Sequence, residues 1–89
     1  QMKVSKDGQP VDLAPLEYRL VMCLMTQRDR WLSGADLLEL IYDHADQKDI
    51  NAVEALIART RRKLGKTEIE SRRGFGYRLA GEEEGVAAP

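Results

Sequence analysis

Cysteine and histidine are scarce in this sequence. It has one cysteine, Cys23, and one histidine, His44. A single cysteine forms no internal disulfide, which favours a reducing, cytoplasmic setting, and the apolar neighbours of Cys23 predict a buried thiol. His44 has no second ligand type at metal spacing and is interpreted as a surface loop residue. No nucleophile–base arrangement can be named either, so we expect no enzyme activity, no metal site and no cofactor.

Long hydrophobic runs are also absent. No apolar stretch approaches the roughly 18 residues of a membrane-spanning helix, and no signal-peptide pattern opens the chain. We therefore expect no membrane association. With 89 residues, 43% of them hydrophobic, the chain has room for one domain with a modest core. Because Met2 already lies inside an expected strand, we expect a piece of a longer protein whose missing part lies upstream.

The chain as a whole has no excess of positive charge, but one of its segments does. The formal net charge is −1, yet residues 59–78 hold eight lysines and arginines against two acidic residues, a local charge of +6. Residues 1–58 carry −4, and residues 79–89 carry −3 through three consecutive glutamates. Because the distribution of charge, not its total, marks a surface for nucleic acid, the segment 59–78 is the candidate binding region.

Turn residues and hydrophobic periodicity predict three helices between two β-hairpins. The first hairpin turns at Asp7–Pro10, and helical spacing follows over residues 15–27, 34–43 and 51–64. The second hairpin turns at residues 72–75. We therefore predict an α+β helix-turn-helix domain with a hairpin wing over residues 1–80. Residues 81–89 are expected to form a disordered acidic tail.

Several residues predict where the helices begin and end. Pro15 suits the first turn of the first helix, where Ala14 occupies the capping position. Residues 31–33 are expected to be extended, with Ser33 as a capping candidate for the second helix. Asn51 is the expected N-cap of the third helix, and Gly65 is its expected C-cap.

The third helix, residues 51–64, has two unlike faces. An apolar stripe, which must face the core, consists of Val53, Ile57 and Leu64, weakly continued by Thr60. The opposite face consists of Asn51, Ala55, Arg59 and Arg62. A small residue allows close approach to a major groove, and guanidinium groups reach guanine edges or phosphates. Arg61 and Lys63 flank this face and suit phosphate contacts. The alternative is an ordinary solubilising surface.

The second hairpin places two adjacent charges, Arg72 and Arg73, at its tip. Glycines on either side of Phe75 allow positive φ there. Phe75, Tyr77 and Leu79 alternate, which predicts that one face of the hairpin packs inward; contact of Phe75 with a sugar-phosphate backbone is the less favoured alternative. A solvated turn is the alternative for the tip, but a basic helix and a basic hairpin close in sequence can contact one duplex in both grooves. Trp31, which precedes the second helix, is expected in the core or an interface.

Five segments together form a recognisable pattern. They are residues 13–21, residues 33–42, Asn51-Ala-Val-Glu54, Arg59-Thr-Arg-Arg-Lys-Leu-Gly65 and Arg72-Arg-Gly-Phe-Gly-Tyr77. The pattern resembles the winged-helix DNA-binding domain of two-component response regulators of the OmpR/PhoB family and covers residues 2–80. Its Asn-x-Val-Glu start and Gly-Phe-Gly-Tyr end are most similar to the PmrA/QseB branch. The resemblance implies a transcription regulator in the bacterial cytoplasm.

The resemblance implies roles for individual residues. Base contacts in the major groove fall to Arg59 and Ala55. Phosphate contacts fall to Asn51 and to Arg61 or Arg62. The wing at the minor groove is residues 71–76, with Ser71 and Arg73 matching the family and Arg72 beside them. The loop that the family presents to RNA polymerase matches residues 43–50, with the charged members Asp43, His44, Asp46, Lys48 and Asp49.

The resemblance also implies partners and shows departures. Family members bind direct repeats on double-stranded DNA as tandem pairs of the same domain, promoted by phosphorylation of an upstream receiver domain, which is missing from this chain. Ala14 replaces a capping Thr, a change that costs about 1 kcal/mol. Thr60 replaces a core Leu, and Leu56 and Ala58 replace polar groups often used on phosphate. The opening sheet is expected to be shortened to two strands.

Two other functions remain open at this point. A winged helix can be a protein-interaction module whose charged face binds an acidic partner such as RNA polymerase. The same fold also serves as the cytoplasmic DNA-binding domain of one-component membrane regulators, and only the sequence upstream separates these from response regulators.

Overall fold

The elements follow the predicted order of a hairpin, three helices and a second hairpin. The computed structural model describes residues 2–6, 9–43 and 48–80, with side chains from residue 10 onward. The elements are β1 (Met2–Lys6), β2 (Gln9–Leu13), α1 (Pro15–Thr26), α2 (Gly34–Ile41), α3 (Ile50–Leu64), β3 (Ile69–Arg72) and β4 (Gly76–Leu79). The predicted α+β class is confirmed. The tail predicted over residues 81–89 lies outside the described residues.

β1 and β2 form an antiparallel pair that runs from Met2 opposite Leu13 to Lys6 opposite Gln9. Pro10, predicted in the turn, lies within β2 instead, opposite Ser5. Proline has no N–H to donate, but each strand of this two-stranded sheet is an edge, so no ladder to a third strand is interrupted.

α1 begins at Pro15, and its N-cap, Ala14, has no side-chain acceptor. The carboxylate of Glu17 partly compensates, because its Oε1 accepts a hydrogen bond from the Ala14 N–H at 2.8 Å. An acidic residue in the first turn also suits the positive end of the helix dipole. The loss of a capping side chain at Ala14 is therefore partly offset within the helix.

α2 and α3 both begin at capping side chains. Ser33 caps α2, since its Oγ accepts a hydrogen bond from the Asp36 N–H at 3.0 Å. The prediction that Asn51 caps α3 is wrong: the cap is Asp49, whose Oδ1 accepts from the Ala52 N–H at 3.3 Å. Aspartate and asparagine are equally good caps, so residue type does not favour Asn51 over Asp49, which lies two residues earlier.

The second hairpin is attached to the helices through the extended segment before α2. β3 and β4 pair from Ile69 opposite Leu79 to Arg72 opposite Gly76. The backbones of Leu32 and Tyr77 exchange two hydrogen bonds of 2.8 Å. Gly76, with φ of 115°, is required here because a Cβ would lie 2.2 Å from the Leu32 carbonyl oxygen. The hairpin is thus fixed close to its turn, where Gly76 and Arg72 form the last pair of the ladder.

The main core lies where the three helices meet the second hairpin, and its buried members are Leu20, Leu24, Leu32, Leu37, Ile41, Val53, Leu56, Ile57, Ile69 and Leu79. The half-buried Cys23 packs against this cluster, and burial raises the pKa of its thiol. Thr60, which stands where the resembling family has a core leucine, is fully buried. Its hydroxyl donates a hydrogen bond to the Leu56 carbonyl at 2.8 Å, so this buried polar group has a partner.

The structure corrects the interpretation of Leu56 on α3. Leu56 was interpreted as replacing a polar phosphate contact on the surface, but it is fully buried. Its place in the helix, three residues after Val53 and one before Ile57, widens the apolar stripe. In the described part of the chain, no helix has the length and apolar character needed to cross a membrane.

Candidate nucleic-acid interface

α3 presents a polar, basic face to solvent, as predicted. Asn51, Ala55, Arg59 and Arg62 are all exposed, and together they form the candidate recognition face. The opposite stripe, including Val53, Ile57 and Thr60, is buried. Because the core fixes the rotation of the helix about its axis, this set of side chains can only face outward. The geometry therefore brings together the four residues that the sequence placed on one face.

Two cations of α3 meet a buried carboxylate on α1, a contact that the sequence analysis missed. Glu17 is only 3% exposed. Its Oε1 lies 2.7 Å from Lys63 Nζ, and its Oε2 lies 3.8 Å from Arg59 Nε. The side chains of Lys63 and Arg59 are themselves 42% and 46% exposed. The recognition face is therefore connected to the protein interior through an ion pair between helices.

The environment of Glu17 keeps it ionised. Burial by itself would raise the pKa of this carboxyl, but hydrogen bonds from Lys63 and the Ala14 N–H act in the opposite direction, as do the charges of Lys63 and Arg59. The net effect is a pKa below the usual value for glutamate. Charges held in a poorly hydrated site interact more strongly than the same pair in water.

Arg61 contacts the protein itself. Its Nη2 and Nε donate to the Ile69 carbonyl oxygen at 2.7 and 3.2 Å, so the guanidinium joins α3 to β3. Sequence reasoning assigned Arg61 to phosphate and had no signal for this contact. Arg62, the next residue, is exposed. Of the two adjacent arginines, Arg62 is thus the one whose side chain faces solvent.

The wing and Trp31 together form a ladder of two adjacent aromatic rings with a cationic side chain at each end. The Arg72 guanidinium lies 4.5 Å from the centre of the Phe75 ring. The Phe75 and Trp31 rings are 6.0 Å apart between centroids, and the Arg78 guanidinium lies 4.4 Å from the Trp31 ring. Stacking of this kind holds Arg72 along the hairpin surface.

The predicted inward packing of Phe75 is wrong, since this residue is 51% exposed. β4 begins only at Gly76, so Phe75 lies in the turn, and the alternation of a strand does not extend to it. Tyr77 is half-buried and Leu79 is buried, as alternation predicts. Ser71, Arg72 and Arg73 are exposed, and Arg73 has no ion-pair or ring partner among the described residues.

The loop predicted to face RNA polymerase is described only in part. Asp43 lies 3.6 Å from Arg19, Lys48 lies 5.7 Å from the centre of the Tyr42 ring, and Asp49 caps α3. His44 and Asp46 lie outside the described residues. Within residues 10–43 and 48–80, no group of three histidine, cysteine or acidic side chains is placed to bind a metal ion.

Comparisons with known proteins agree with this geometry. The family model described as "Transcriptional regulatory protein, C terminal" matches residues 8–79. The chain is 38% identical to the transcriptional regulatory protein CseB of Streptomyces avermitilis, covering 88% of this chain and 33% of that protein. It is 37% identical to the response regulator protein PmrA of Pseudomonas aeruginosa, covering 84% and 34%.

A solved structure is also similar. The crystal structure of the DNA-binding domain of Bacillus subtilis CssR matches with a TM-score of 0.74 and 25% identity, covering 88% of this chain and 90% of that one. This chain spans about a third of the length of the two curated relatives, 33% and 34%.

Proposed function

Because the chain belongs to the OmpR/PhoB-type family of winged-helix DNA-binding domains of transcriptional regulators, we propose that it binds duplex DNA sequence-specifically as the output domain of a response regulator. The single observation that carries the proposal is the exposed basic face of α3 beside an exposed basic wing, on a chain whose overall charge is −1. The family consists of DNA-binding domains of transcription factors and not of enzymes.

In this proposal α3 lies in the major groove. Arg59 reads a base edge, and the small side chain of Ala55 allows the helix to approach the groove closely. Asn51 and Arg62 contact phosphates. Arg61 and Lys63, to which the resemblance and the position beside the face assign the same task, are engaged by the Ile69 carbonyl and by Glu17. We therefore assign them a smaller share of the phosphate contacts.

The wing contacts the minor groove in this proposal. Arg73 enters the groove, while Ser71 and the stacked Arg72 lie at its edge. Support comes from exposure, because the tip at Arg73 has no partner among the described residues, whereas Arg72 lies against Phe75. An arginine in a narrow minor groove responds to the local negative potential and contributes to the reading of DNA shape.

The partners of the whole regulator are also part of the proposal. We propose that two copies of the domain bind a direct repeat head to tail, that an upstream receiver domain controls them in the cytoplasm, and that residues 43–50 contact RNA polymerase. These statements rest on the family resemblance.

A selection experiment tests the proposed function. Duplexes bound by the chain would be selected from a random library, and the affinity of the enriched duplex would then be measured at increasing salt. We expect a direct repeat to be enriched and log K to fall with log salt by about 0.9 per neutralised phosphate. Enrichment of a single half-site would contradict tandem binding but leave the proposal of sequence-specific DNA binding intact. The absence of binding to any duplex at low salt would overturn the proposal.

A further inference from the structure

We propose that Glu17 is a positioning residue for DNA recognition: from its buried site on α1 it orients Arg59 toward the base edge and withholds Lys63 from the phosphates. The inference deepens the proposed function and rests on it. It concerns a residue that lies on a different helix from the recognition face and has only 3% of its surface exposed, so it cannot itself touch a duplex.

The burial of Glu17 makes its partners obligatory. An ionised carboxylate taken out of water is costly unless it is paired and hydrogen-bonded. Three groups meet it: the Ala14 N–H at 2.8 Å, Lys63 Nζ at 2.7 Å and Arg59 Nε at 3.8 Å. Both cations are on α3, although Glu17 and Lys63 are 46 residues apart. The carboxylate therefore constrains the recognition face without belonging to it.

The contact with Glu17 leaves the two Nη groups of Arg59 available to DNA. The contact of Arg59 with the Glu17 carboxylate is made through Nε, at 3.8 Å, which leaves the Nη groups for a bidentate contact with a guanine edge. An arginine on an exposed helix otherwise samples many rotamers, and ordering it on binding has an entropic cost. A charge on one side of the guanidinium narrows that range before DNA arrives. Preorganisation of this kind favours the correct base pair over others.

The contact with Lys63 has a different consequence. Arg59 and Lys63 are four residues apart on one helix, where like charges repel, and Glu17 lies between their charges and the core. Because the 2.7 Å contact to Lys63 is the shorter one, Lys63 is the cation that the carboxylate neutralises more fully. We therefore expect Lys63 to contribute little to the salt dependence of binding, in contrast to the neighbouring Arg62.

The first test is Glu17→Gln in the full chain. Glutamine keeps an acceptor for the Ala14 N–H but removes the charge that both cations face. The ratio of affinities for the selected duplex and a scrambled duplex of equal length should fall by about tenfold. The slope of log K against log salt should become steeper by about 0.9, since Lys63 becomes available to phosphate. A purely structural role would lower stability and move neither quantity.

A matched control and a second variant complete the experiment. Glu39→Gln makes the same charge change at an exposed position on α2 and should leave the ratio unchanged. Lys63→Gln is at a half-exposed side chain, so it remains informative even if Glu17→Gln fails to fold. It should change the salt slope only slightly, whereas Arg62→Gln should make the slope shallower by about 0.9.

The outcomes separate this inference from the proposed function. If the wild-type chain binds no duplex, the proposed function fails, and the inference fails with it. If the wild type selects a duplex but Glu17→Gln keeps both the affinity ratio and the salt slope, only the inference is overturned. A shallower slope in Lys63→Gln, equal to that of Arg62→Gln, would likewise overturn it.

Discussion

The two basic regions of this molecule hold their cations by different means. On α3, Arg59 and Lys63 share a carboxylate that is 3% exposed. On the wing, Arg72 lies on the ring of Phe75, which is 51% exposed and leans in turn on Trp31. A buried charge attracts its partners more strongly than the same charge would in water. An exposed cation–aromatic contact, in contrast, contributes only about 0.5–1 kcal/mol.

The difference fits two modes of contact with a duplex. Reading a base edge needs a guanidinium held in one direction, and an interior anion provides that constraint. Contacts to phosphates and to groove shape tolerate more variation, for which a side chain held by surface stacking is sufficient. The backbone of the wing is nevertheless fixed close to the turn, where Leu32 and Tyr77 exchange hydrogen bonds. Its backbone is therefore firmly placed while its tip side chains are weakly held.

The largest effect should come from Gly76, where the wing backbone packs against Leu32. Gly76→Ala places a Cβ 2.2 Å from the Leu32 carbonyl oxygen at a φ of 115°. The two backbone hydrogen bonds between Leu32 and Tyr77 must therefore open. We expect the free energy of unfolding to fall by about 3 kcal/mol, as measured by urea denaturation. Gly74→Ala is the control: its φ is 83° and nothing lies within 4 Å, so it should cost about 1 kcal/mol. Equal losses would contradict a wing backbone that is firmly placed at Gly76.

The next effect distinguishes the two regions by specificity. Arg59→Ala should reduce discrimination at one base pair by about 1–3 kcal/mol, because its fork is the proposed base contact. Arg73→Ala should weaken binding across sequences with a smaller change in preference. Affinities for the selected duplex and its single-pair variants measure both. If the preferences of Arg59→Ala equalled those of the wild type, the assignment of base reading to α3 would be wrong.

The pH dependence of stability probes the anchor of α3, which is the buried Glu17 carboxylate paired with Lys63 and Arg59. The pKa of Glu17 is lowered in the folded state, so its pairing stabilises the fold above the unfolded value near 4.5 and is lost as pH falls through the folded pKa. At neutral pH, Glu17→Gln should be less stable than the wild type by about 1 kcal/mol. That difference should narrow on acidification. Urea midpoints measured from neutral to acidic pH would show it, and a gap independent of pH would speak against an ionised anchor.

The smallest effect should come from the aromatic ladder. Phe75→Leu keeps an apolar side chain but removes the ring under Arg72, and we expect a loss of about 0.5 kcal/mol in unfolding free energy. Trp31 is the chain's single tryptophan and packs on Phe75, so its fluorescence reports the change directly. A loss as large as that of Gly76→Ala would mean that the side chains, not the backbone, hold the wing.

Much of the candidate interface was predictable because its signals are local. The 3.6-residue period separates Arg59 and Arg62 from Val53 and Ile57, and this division holds in the structure. Charge segregation marked the segment 59–78 despite the net charge of −1. The roles of Asn51, Ala55 and the wing residues in DNA contact remain predictions.

Errors arose where two local signals competed or where a pattern was extended too far. Asn51 and Asp49 are both good caps, and the structure uses Asp49. The alternation of β4 was extended back to Phe75, which belongs to the turn. Leu56 was judged by its counterpart in a resembling family, although its own position in the helix places it in the core.

The sequence by itself determined the order of hairpins and helices, the two faces of α3 and the glycines of the wing, because each depends on neighbours within a few residues. Only the tertiary structure decided which cations are available to a partner. Arg61 is held by Ile69 and Lys63 by Glu17, contacts that span 8 and 46 residues. No periodicity encodes such pairs, since they form only when packing of the core brings α1 and β3 against α3.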